Sequence, residues 1–193
     1  MTVKHVIVGL GNPGPQFENT RHNAGFDVMR ALAGETAFSH VEALHADIAV
    51  VKIDDHDVAL VCPTTGMNDS GDAVKAVLDH YELGPEALLV VHDDVTLSQF
   101  AMLRFQHSGK AGGHHGIEHT VQLLNSNEFD RLKVGVGPDP GGAKRFEFVL
   151  AKMDDIRPRY LALVGKSADA VRLWVNSGVA IASCQFNKKV PHA

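Results

Sequence analysis

The chain of 193 residues is long enough for one α/β domain with a buried core and short for two, and its 45% hydrophobic and 21% charged residues are ordinary for a soluble globular protein. The formal net charge of −5 lacks the basic footprint that nucleic-acid binding usually leaves, although a local basic patch stays open. No apolar run approaches the roughly 18 residues of a membrane span, and the N-terminus lacks the pattern of a signal peptide. We therefore expect a cytoplasmic protein in which Cys62 and Cys184 are buried thiols.

The first half of the chain alternates strand-like apolar runs with segments of helical period. In chain order it predicts a strand, a helix, an antiparallel strand pair and a second helix, over residues 3–10, 24–33, 48–53 with 58–62, and 72–81. Asn23 precedes the first helix in the position of a capping side chain, and Gly34 follows it as a stop.

The second half continues this alternation. It predicts two strands, a helix, a third strand and a long helix with a shorter one behind it, over residues 87–92, 102–106, 116–124, 132–136, 154–176 and 178–186. Strands interleaved with helices favour a single-domain α/β three-layer sandwich, in which helices cover both faces of a twisted, mostly parallel or mixed central sheet. The sequence shows no repeat, low-complexity tract or linker, so residues 1–193 are expected to form a single domain.

Polar side chains follow several of the predicted strands. Ligands of α/β folds gather beyond the carboxyl ends of the strands. If the strands that end near residues 10, 62, 92 and 106 share one edge of the sheet, that edge collects Asn12, Asn68, Asp93 and His115. The sequence therefore predicts a polar site there.

His22 and Asp93 are candidates for a general base and its partner. His22 lies in a polar turn before a helix, and a histidine that titrates near neutrality suits the activation of water. Such a base needs a carboxylate that fixes its tautomer, and Asp93 follows a buried strand. A solvated or capping histidine and an aspartate that caps a turn remain the alternatives.

The other motifs are less specific on their own. Asn12, in the rigid turn GLGNPG, can donate to a carbonyl or an oxyanion, or can serve as an ordinary turn residue. The turn misses the dinucleotide-binding spacing by one residue, and no serine elbow is present, so water is the expected nucleophile. The glycine-rich loop 109–116 can hold a phosphate or a carboxylate, or can be a surface loop. His115 and His119 lie one helical turn apart, which is weak support for a metal site.

Several short segments occur in a specific order and spacing. They are GLGNPG at 9–14, TRHNAGF at 20–26, MN at 67–68, VVHDD at 90–94, GGHHG at 112–116, RLKVGVG at 131–137, FVLAKM at 148–153 and QFN at 185–187. With this arrangement, the chain resembles the bacterial peptidyl-tRNA hydrolase family from Val3 to about Asn187. No single segment is specific, but their combination is.

The resemblance implies a monomer that needs no metal or cofactor and hydrolyses the ester between a peptide and the terminal adenosine of tRNA. It implies that His22 activates water and that Asp93 orients His22. The substrate ligands that it implies are Asn12, Phe17, Met67, Asn68, Gly113 and His115. For contact with the acceptor stem and 3′ end of the tRNA, Lys133 and Lys144 are expected from the family pattern and from charge. Lys110 is expected only from its glycine loop, and Arg104 because it lies close to Gln106, where the family has a lysine.

Some positions depart from the family pattern. His115 stands where the family usually has Asn, Gly66 where an aromatic residue is usual, and Phe17 where Tyr is common. Asp69 replaces an apolar or basic residue, and Lys133 replaces an arginine, with the loss of its bidentate fork. With the acidic net charge, these departures leave two alternatives open. One is a catalytically weakened paralogue that acts as an RNA-binding or partner-binding protein, and the other is a hydrolase of small esters or amides.

Overall fold

The structure, a computed structural model, describes residues 2–97, 99–142 and 144–187. Its strands are β1 (Val3–Gly9), β2 (Ser39–Val41), β3 (Ala46–Ile53), β4 (His56–Pro63), β5 (Leu88–Asp94), β6 (Leu103–His107) and β7 (Asp130–Gly135). They form one seven-stranded sheet in the order β2-β3-β4-β1-β5-β7-β6. The central strands β4, β1, β5 and β7 are parallel, whereas β3 and β6 run antiparallel to their neighbours β4 and β7.

Helices cover both faces of this sheet. They are α1 (Ala24–Ala33), α2 (Ser70–His80), α3 (His115–Leu124), α4 (Lys144–Leu150) and α5 (Arg157–Phe186). On one face Ile7 of β1 packs in a core with α1 and α5, and on the other Val6 and Val8 pack in a core with α2 and α3. The predicted three-layer α/β fold with a mixed sheet is therefore confirmed. In the described part of the chain, no helix combines the length and the apolar character that a membrane span requires.

Most predicted elements agree with the structure to within two residues, and two short ones were not predicted. The missed elements are β2, whose residues are largely exposed, and α4, which follows a glycine-rich turn. The predicted pair of C-terminal helices is confirmed as the two parts of α5, which a break at Gly178, where φ is +75°, separates. Only glycine adopts such a φ readily, so the break stands where the sequence placed it.

Three local expectations were wrong. Strand β6 is antiparallel to β7, so its carboxyl end at His107 lies at the edge opposite the expected site. The loop 108–114 must therefore cross back before α3 begins. Asn23 makes no capping hydrogen bond, because its side chain binds the backbone of Asn12 instead. Cys184 is exposed, because α5 turns Ala182 toward the core and Cys184, two positions on, away from it.

A close approach of α1 to the sheet positions the segment before that helix. A Cβ atom on Gly25 would lie 2.4 Å from Leu10 N and 2.5 Å from Val91 O, and one on Gly9 would lie 2.2 Å from Gly25 O. Only two facing glycines allow backbone contact of this kind. The start of α1, and with it His22, is thereby brought against the end of β5.

We expect Gly25→Ala to lower the free energy of unfolding by about 3 kcal/mol, because the added methyl group meets immobile backbone rather than flexible side chains. Urea unfolding followed by circular dichroism measures the change. The matched control is Gly165→Ala in α5, where a Cβ meets nothing within 4 Å and should stabilise the helix by about 0.5–1 kcal/mol. Equal stability of the two variants would show that α1 can move away from β1 at little cost.

Candidate active site

His22 lies in a single turn of 3-10 helix, Arg21–Asn23, immediately before α1. Two backbone hydrogen bonds hold this turn against the segment after α4, from Arg21 N to Ala151 O at 3.3 Å and from Met153 N to Asn19 O at 3.0 Å. The His22 side chain is 18% exposed and Asp93, at the end of β5, is 3% exposed. His22 Nδ1 lies 2.8 Å from Asp93 Oδ1. An ionised carboxylate can only accept, so Nδ1 carries the proton and Nε2 keeps a free lone pair.

The pair is electrostatically matched. Burial works to lower the pKa of His22, but the charge and hydrogen bond of Asp93 outweigh it and hold that pKa above its ordinary value. Burial likewise works to raise the pKa of Asp93, and the hydrogen bonds and charges of His22 and His114 hold it well below its usual range. Asp93 is therefore a carboxylate at neutral pH, and His22 is a base whose conjugate acid is stabilised.

Two further histidines surround Asp93. His114 Nε2 lies 3.2 Å from Asp93 Oδ1, and the His114 side chain is 9% exposed. The buried His92 donates from Nδ1 to the carbonyl of Asp93 at 2.7 Å, and burial, with the neighbouring His114, lowers the pKa of His92 to about 3. Because His92 is neutral at neutral pH, it adds no charge to the pair formed by Asp93 and His22.

Asn12 lies in a frame of amide hydrogen bonds. The buried Asn23 side chain accepts from Asn12 N at 2.8 Å and donates to Asn12 O at 2.9 Å. Asn12 Oδ1 accepts from Met67 N at 2.9 Å. Because its oxygen is occupied, Asn12 presents Nδ2 as a donor, held by strand β1, the His22 turn and the segment before α2.

Asn68 and His115 meet at the exposed rim of the site. His115 Nδ1 lies 3.3 Å from Asn68 Oδ1, and both residues are exposed. Gly66, beside them, has a φ of +87°, and no side chain there packs against Asn68. The contact with His115 is therefore the side-chain hydrogen bond of Asn68 at this rim.

These groups border a cavity of about 430 Å³. Its polar lining includes His22, Asn68, His92, Asp93, His114, His115 and Arg145. Phe146 of α4, 71% exposed, adds an apolar wall, and Arg145 is held in an ion pair with Asp139. The cavity thus combines a base, amide groups, a cation and an aromatic ring.

The structure brings together most of the predicted site. His22, Asn68, Asp93, Gly113 and His115 line the cavity, whereas Asn12 lies outside the lining and bonds the backbone of Met67, the neighbour of Asn68 in the chain. The Met67 side chain lies outside that lining, 4% exposed in the core under α2 and α3. Phe17 is half-buried in the turn Pro15–Phe17, also outside the lining.

The cationic residues expected to contact tRNA fall into two groups. Arg104, Lys110 and Lys144 are exposed. Lys133 is only 12% exposed, and its ammonium group binds Asp94 Oδ2 at 2.9 Å. The charge of Lys133 is therefore neutralised by Asp94.

Sequence reasoning missed three supporting residues besides Asn23. His92 and His114 stand inside the quoted motifs, but nothing local distinguishes them from Asp94 or His115. Arg131 is fully buried and donates to the carbonyl of Lys110 at 3.2 Å, which anchors the loop that returns to the site. An arginine within an apolar strand was the available signal.

The metal pair suggested by sequence does not assemble. His119 Nδ1 accepts from the backbone N–H of Gly71 at 3.1 Å, whereas His115 turns to Asn68. The two rings therefore serve different partners on α2 and at the rim of the cavity.

Comparison with known proteins agrees with this geometry. The family model described as peptidyl-tRNA hydrolase matches residues 6–193. The peptidyl-tRNA hydrolase of Desulforamulus reducens is 37% identical over 186 residues, which are 95% of this chain and 89% of that protein. That of Exiguobacterium is 45% identical over 145 residues, 75% of this chain and 78% of that protein. The crystal structure of peptidyl-tRNA hydrolase from Acinetobacter baumannii superposes with a TM-score of 0.88 at 31% identity, covering 100% of this chain and 98% of that one. With the family's fold, its sequence model and its length all matched, the chain belongs to the peptidyl-tRNA hydrolase family.

Proposed function

We propose that this protein hydrolyses the ester bond of peptidyl-tRNA with a water molecule that His22 activates. The observation that carries the proposal is the His22–Asp93 pair at 2.8 Å, whose second imidazole nitrogen is left free at the wall of the cavity. The proposal assigns His22 as general base and Asp93 as the carboxylate that orients it.

The reaction follows from these positions. His22 Nε2 takes a proton from water as the water oxygen attacks the ester carbonyl, and Asp93 stabilises the imidazolium that results. The Asn12 Nδ2 donor, with the Asn68 amide at the rim, stabilises the oxyanion. When the intermediate collapses, the ribose oxygen leaves and takes the proton from His22. The products are a peptide carboxylate and a tRNA with a free terminal hydroxyl.

A water nucleophile agrees with the state of the buried thiol. Cys62 is 7% exposed in strand β4, and burial raises its pKa to about 12. A thiol with that pKa is not ionised at neutral pH and does not act as a nucleophile.

Substrate and tRNA contacts extend the proposal outward from the catalytic pair. Gly113 and His115, which line the cavity, are assigned to the peptide and 3′-end groove, and Phe17 and Met67, which lie outside that lining, are assigned to its support. The exposed Arg104, Lys110 and Lys144, with Lys133 beside Arg104 on the neighbouring strand, are assigned to the acceptor stem. With only three of these four assigned cations exposed, on a chain of net charge −5, tRNA binding should be weak, and its salt dependence should correspond to about three phosphate contacts. We also propose that the protein acts as a cytoplasmic monomer.

The test compares an N-acetyl-aminoacyl-tRNA with the matched N-acetyl-aminoacyl ester of adenosine. We expect the tRNA substrate to be turned over far faster, with KM rising about 40-fold between 50 and 200 mM salt if about three phosphates are contacted. Binding of tRNA without release of the amino acid would instead indicate a weakened paralogue. Equal turnover of both substrates without a salt effect would indicate a hydrolase of small esters.

A further inference from the structure

His22, Asp93 and His114 form a compact cluster of metal-ligating side chains. One ligand atom from each residue lies within 4.8 Å of the other two. Asp93 Oδ1 lies 2.8 Å from His22 Nδ1 and 3.2 Å from His114 Nε2. Zn²⁺ with bonds of about 2.0–2.2 Å in tetrahedral geometry holds its ligand atoms about 3.3 Å apart. The two spacings to Asp93 thus already lie within about half an ångström of that value.

A second observation concerns the nitrogens behind the cluster. Among the described residues, the buried atoms His114 Nδ1 and His92 Nε2 have no hydrogen-bond partner. The two rings are adjacent, with centroids 4.6 Å apart. Since His92 Nδ1 donates to the carbonyl of Asp93, His92 Nε2 carries a lone pair. Leaving two buried nitrogens without a hydrogen-bond partner lowers the stability of the folded protein. A state in which His114 Nδ1 carries a proton would turn one of them into a donor.

Metal binding would create that state. A histidine that binds a metal through one nitrogen normally donates its other N–H to an acceptor nearby. If His114 binds through Nε2, its ring proton moves to Nδ1, beside the His92 ring. The cluster therefore offers three ligand atoms, with the His92 ring packed against the ring of one of them.

We propose that His22, Asp93 and His114 bind a divalent transition-metal ion, best matched by Zn²⁺, and that the bound ion switches hydrolysis off. Two neutral imidazoles and one carboxylate with an open fourth position are a common ligand set for Zn²⁺. Each imidazole keeps one proton, which moves to Nε2 of His22 and to Nδ1 of His114. Binding thus releases no proton and involves no oxidation.

The inhibitory effect rests on the proposed function, whereas the binding does not. With the ion on Nδ1, the remaining proton of His22 sits on Nε2, and the lone pair that would activate water is lost. The ion also holds Asp93 and His114 in fixed positions. Metal occupancy and general-base catalysis at His22 therefore exclude each other, and the ion acts as a reversible inhibitor rather than as a cofactor.

The binding test uses Co²⁺ alone as a spectroscopic probe of the chelator-treated full chain, followed by competition with Zn²⁺. We expect one Co²⁺ per chain, with the visible absorption of a four-coordinate site, and its displacement by one Zn²⁺. His114→Ala should weaken binding by at least about 100-fold, because a lost ligand costs no less than a lost outer-shell partner. Circular dichroism verifies that the variant is folded.

The control is His40→Ala, because His40 is an exposed histidine that bonds Asp47 and Glu42 at 2.8 and 2.9 Å and lies outside the cluster. We expect this variant to keep both the Co²⁺ spectrum and its inhibition by Zn²⁺. Loss of the spectrum in His40→Ala, its retention in folded His114→Ala, or its absence in the wild type would each overturn the inference.

Activity assays separate the two proposals. Zn²⁺, but not Mg²⁺, should inhibit wild-type turnover with the same concentration dependence as occupancy, and a chelator should restore it. If the protein shows the Co²⁺ spectrum but does not hydrolyse peptidyl-tRNA, the proposed metal site stands and the proposed function is wrong. If the protein hydrolyses peptidyl-tRNA but shows neither the Co²⁺ spectrum nor inhibition by Zn²⁺, the proposed function stands and the metal site is wrong.

Discussion

Replacing His22 by alanine should lower kcat for the release of peptide from peptidyl-tRNA by about 10²–10⁴-fold, because general-base catalysis contributes that much. His22 supplies the free imidazole nitrogen at the wall of the cavity, and the neighbouring His114 cannot replace it, because its Nε2 faces Asp93 and its other nitrogen, Nδ1, is buried. The substrate still meets the amides of Asn12 and Asn68, so KM should change much less than kcat. Single-turnover release from N-acetyl-aminoacyl-tRNA measures the chemical step directly.

The control for this variant is His80→Ala, a change at an exposed histidine at the end of α2. It should leave kcat and KM as they are in the wild type. If His22→Ala were to retain kcat within about threefold, the base would have to be another group of the cavity, and the proposed role of His22 would be wrong.

Asp93→Asn should lower kcat by about 10²–10⁴-fold while the protein remains folded. An asparagine of the same shape can donate its amide N–H to His22 Nδ1. The imidazole proton then moves to Nε2, which no longer accepts a proton from water. Asp93 does not touch the reacting atoms in this account, so its effect is exerted through the tautomer and charge of His22.

The pH profile distinguishes this positioning role from a loss of structure. Activity needs neutral His22, so kcat rises with pH through the pKa of His22, which Asp93 holds above its ordinary value. In Asp93→Asn only burial acts strongly, and burial lowers that pKa. The acid limb should therefore move to lower pH even as the plateau falls.

Asp94→Asn provides the comparison for the pH profile. It removes the charge that pairs with Lys133, but not the contact of Asp93 with His22. Its acid limb should stay where the wild type has it. An unshifted limb in Asp93→Asn, or an equal shift in Asp94→Asn, would contradict the assignment of Asp93.

Three of the departures from the family pattern lie near the rim of the site. His115 and Asp69 are exposed and Gly66 is half-buried in the same segment as Asn68, whereas His22, Asp93 and Asn12 lie inside the bonded frame. Changes at the rim alter how a substrate is gripped, and the inner frame determines whether water is activated. The intact inner frame therefore supports hydrolysis, and nothing at the rim favours a protein that only binds RNA.

Local patterns in the sequence were sufficient for several features of this protein. The continuous apolar run of β5 predicts a strand covered on both faces, and the structure buries all of its residues. Asn12, Asn68 and Asp93 could be located because they follow strand ends, and parallel strands bring those ends to one edge. The stop of α1 at Gly34 was predictable, since its φ of +57° favours glycine.

Only the tertiary structure decided the rest, because those features depend on partners distant in sequence. Whether Asn23 caps its own helix or binds Asn12 depends on the glycine contact that brings α1 onto β1. The direction of β6 depends on its pairing with β7. Which of the two histidines, His114 or His115, bonds Asp93 depends on the path of the loop that leads back from the end of β6 to the site. A sequence pattern records the preferences of neighbouring residues, whereas these choices are made by hydrogen bonds and packing between segments 11 to 71 positions apart.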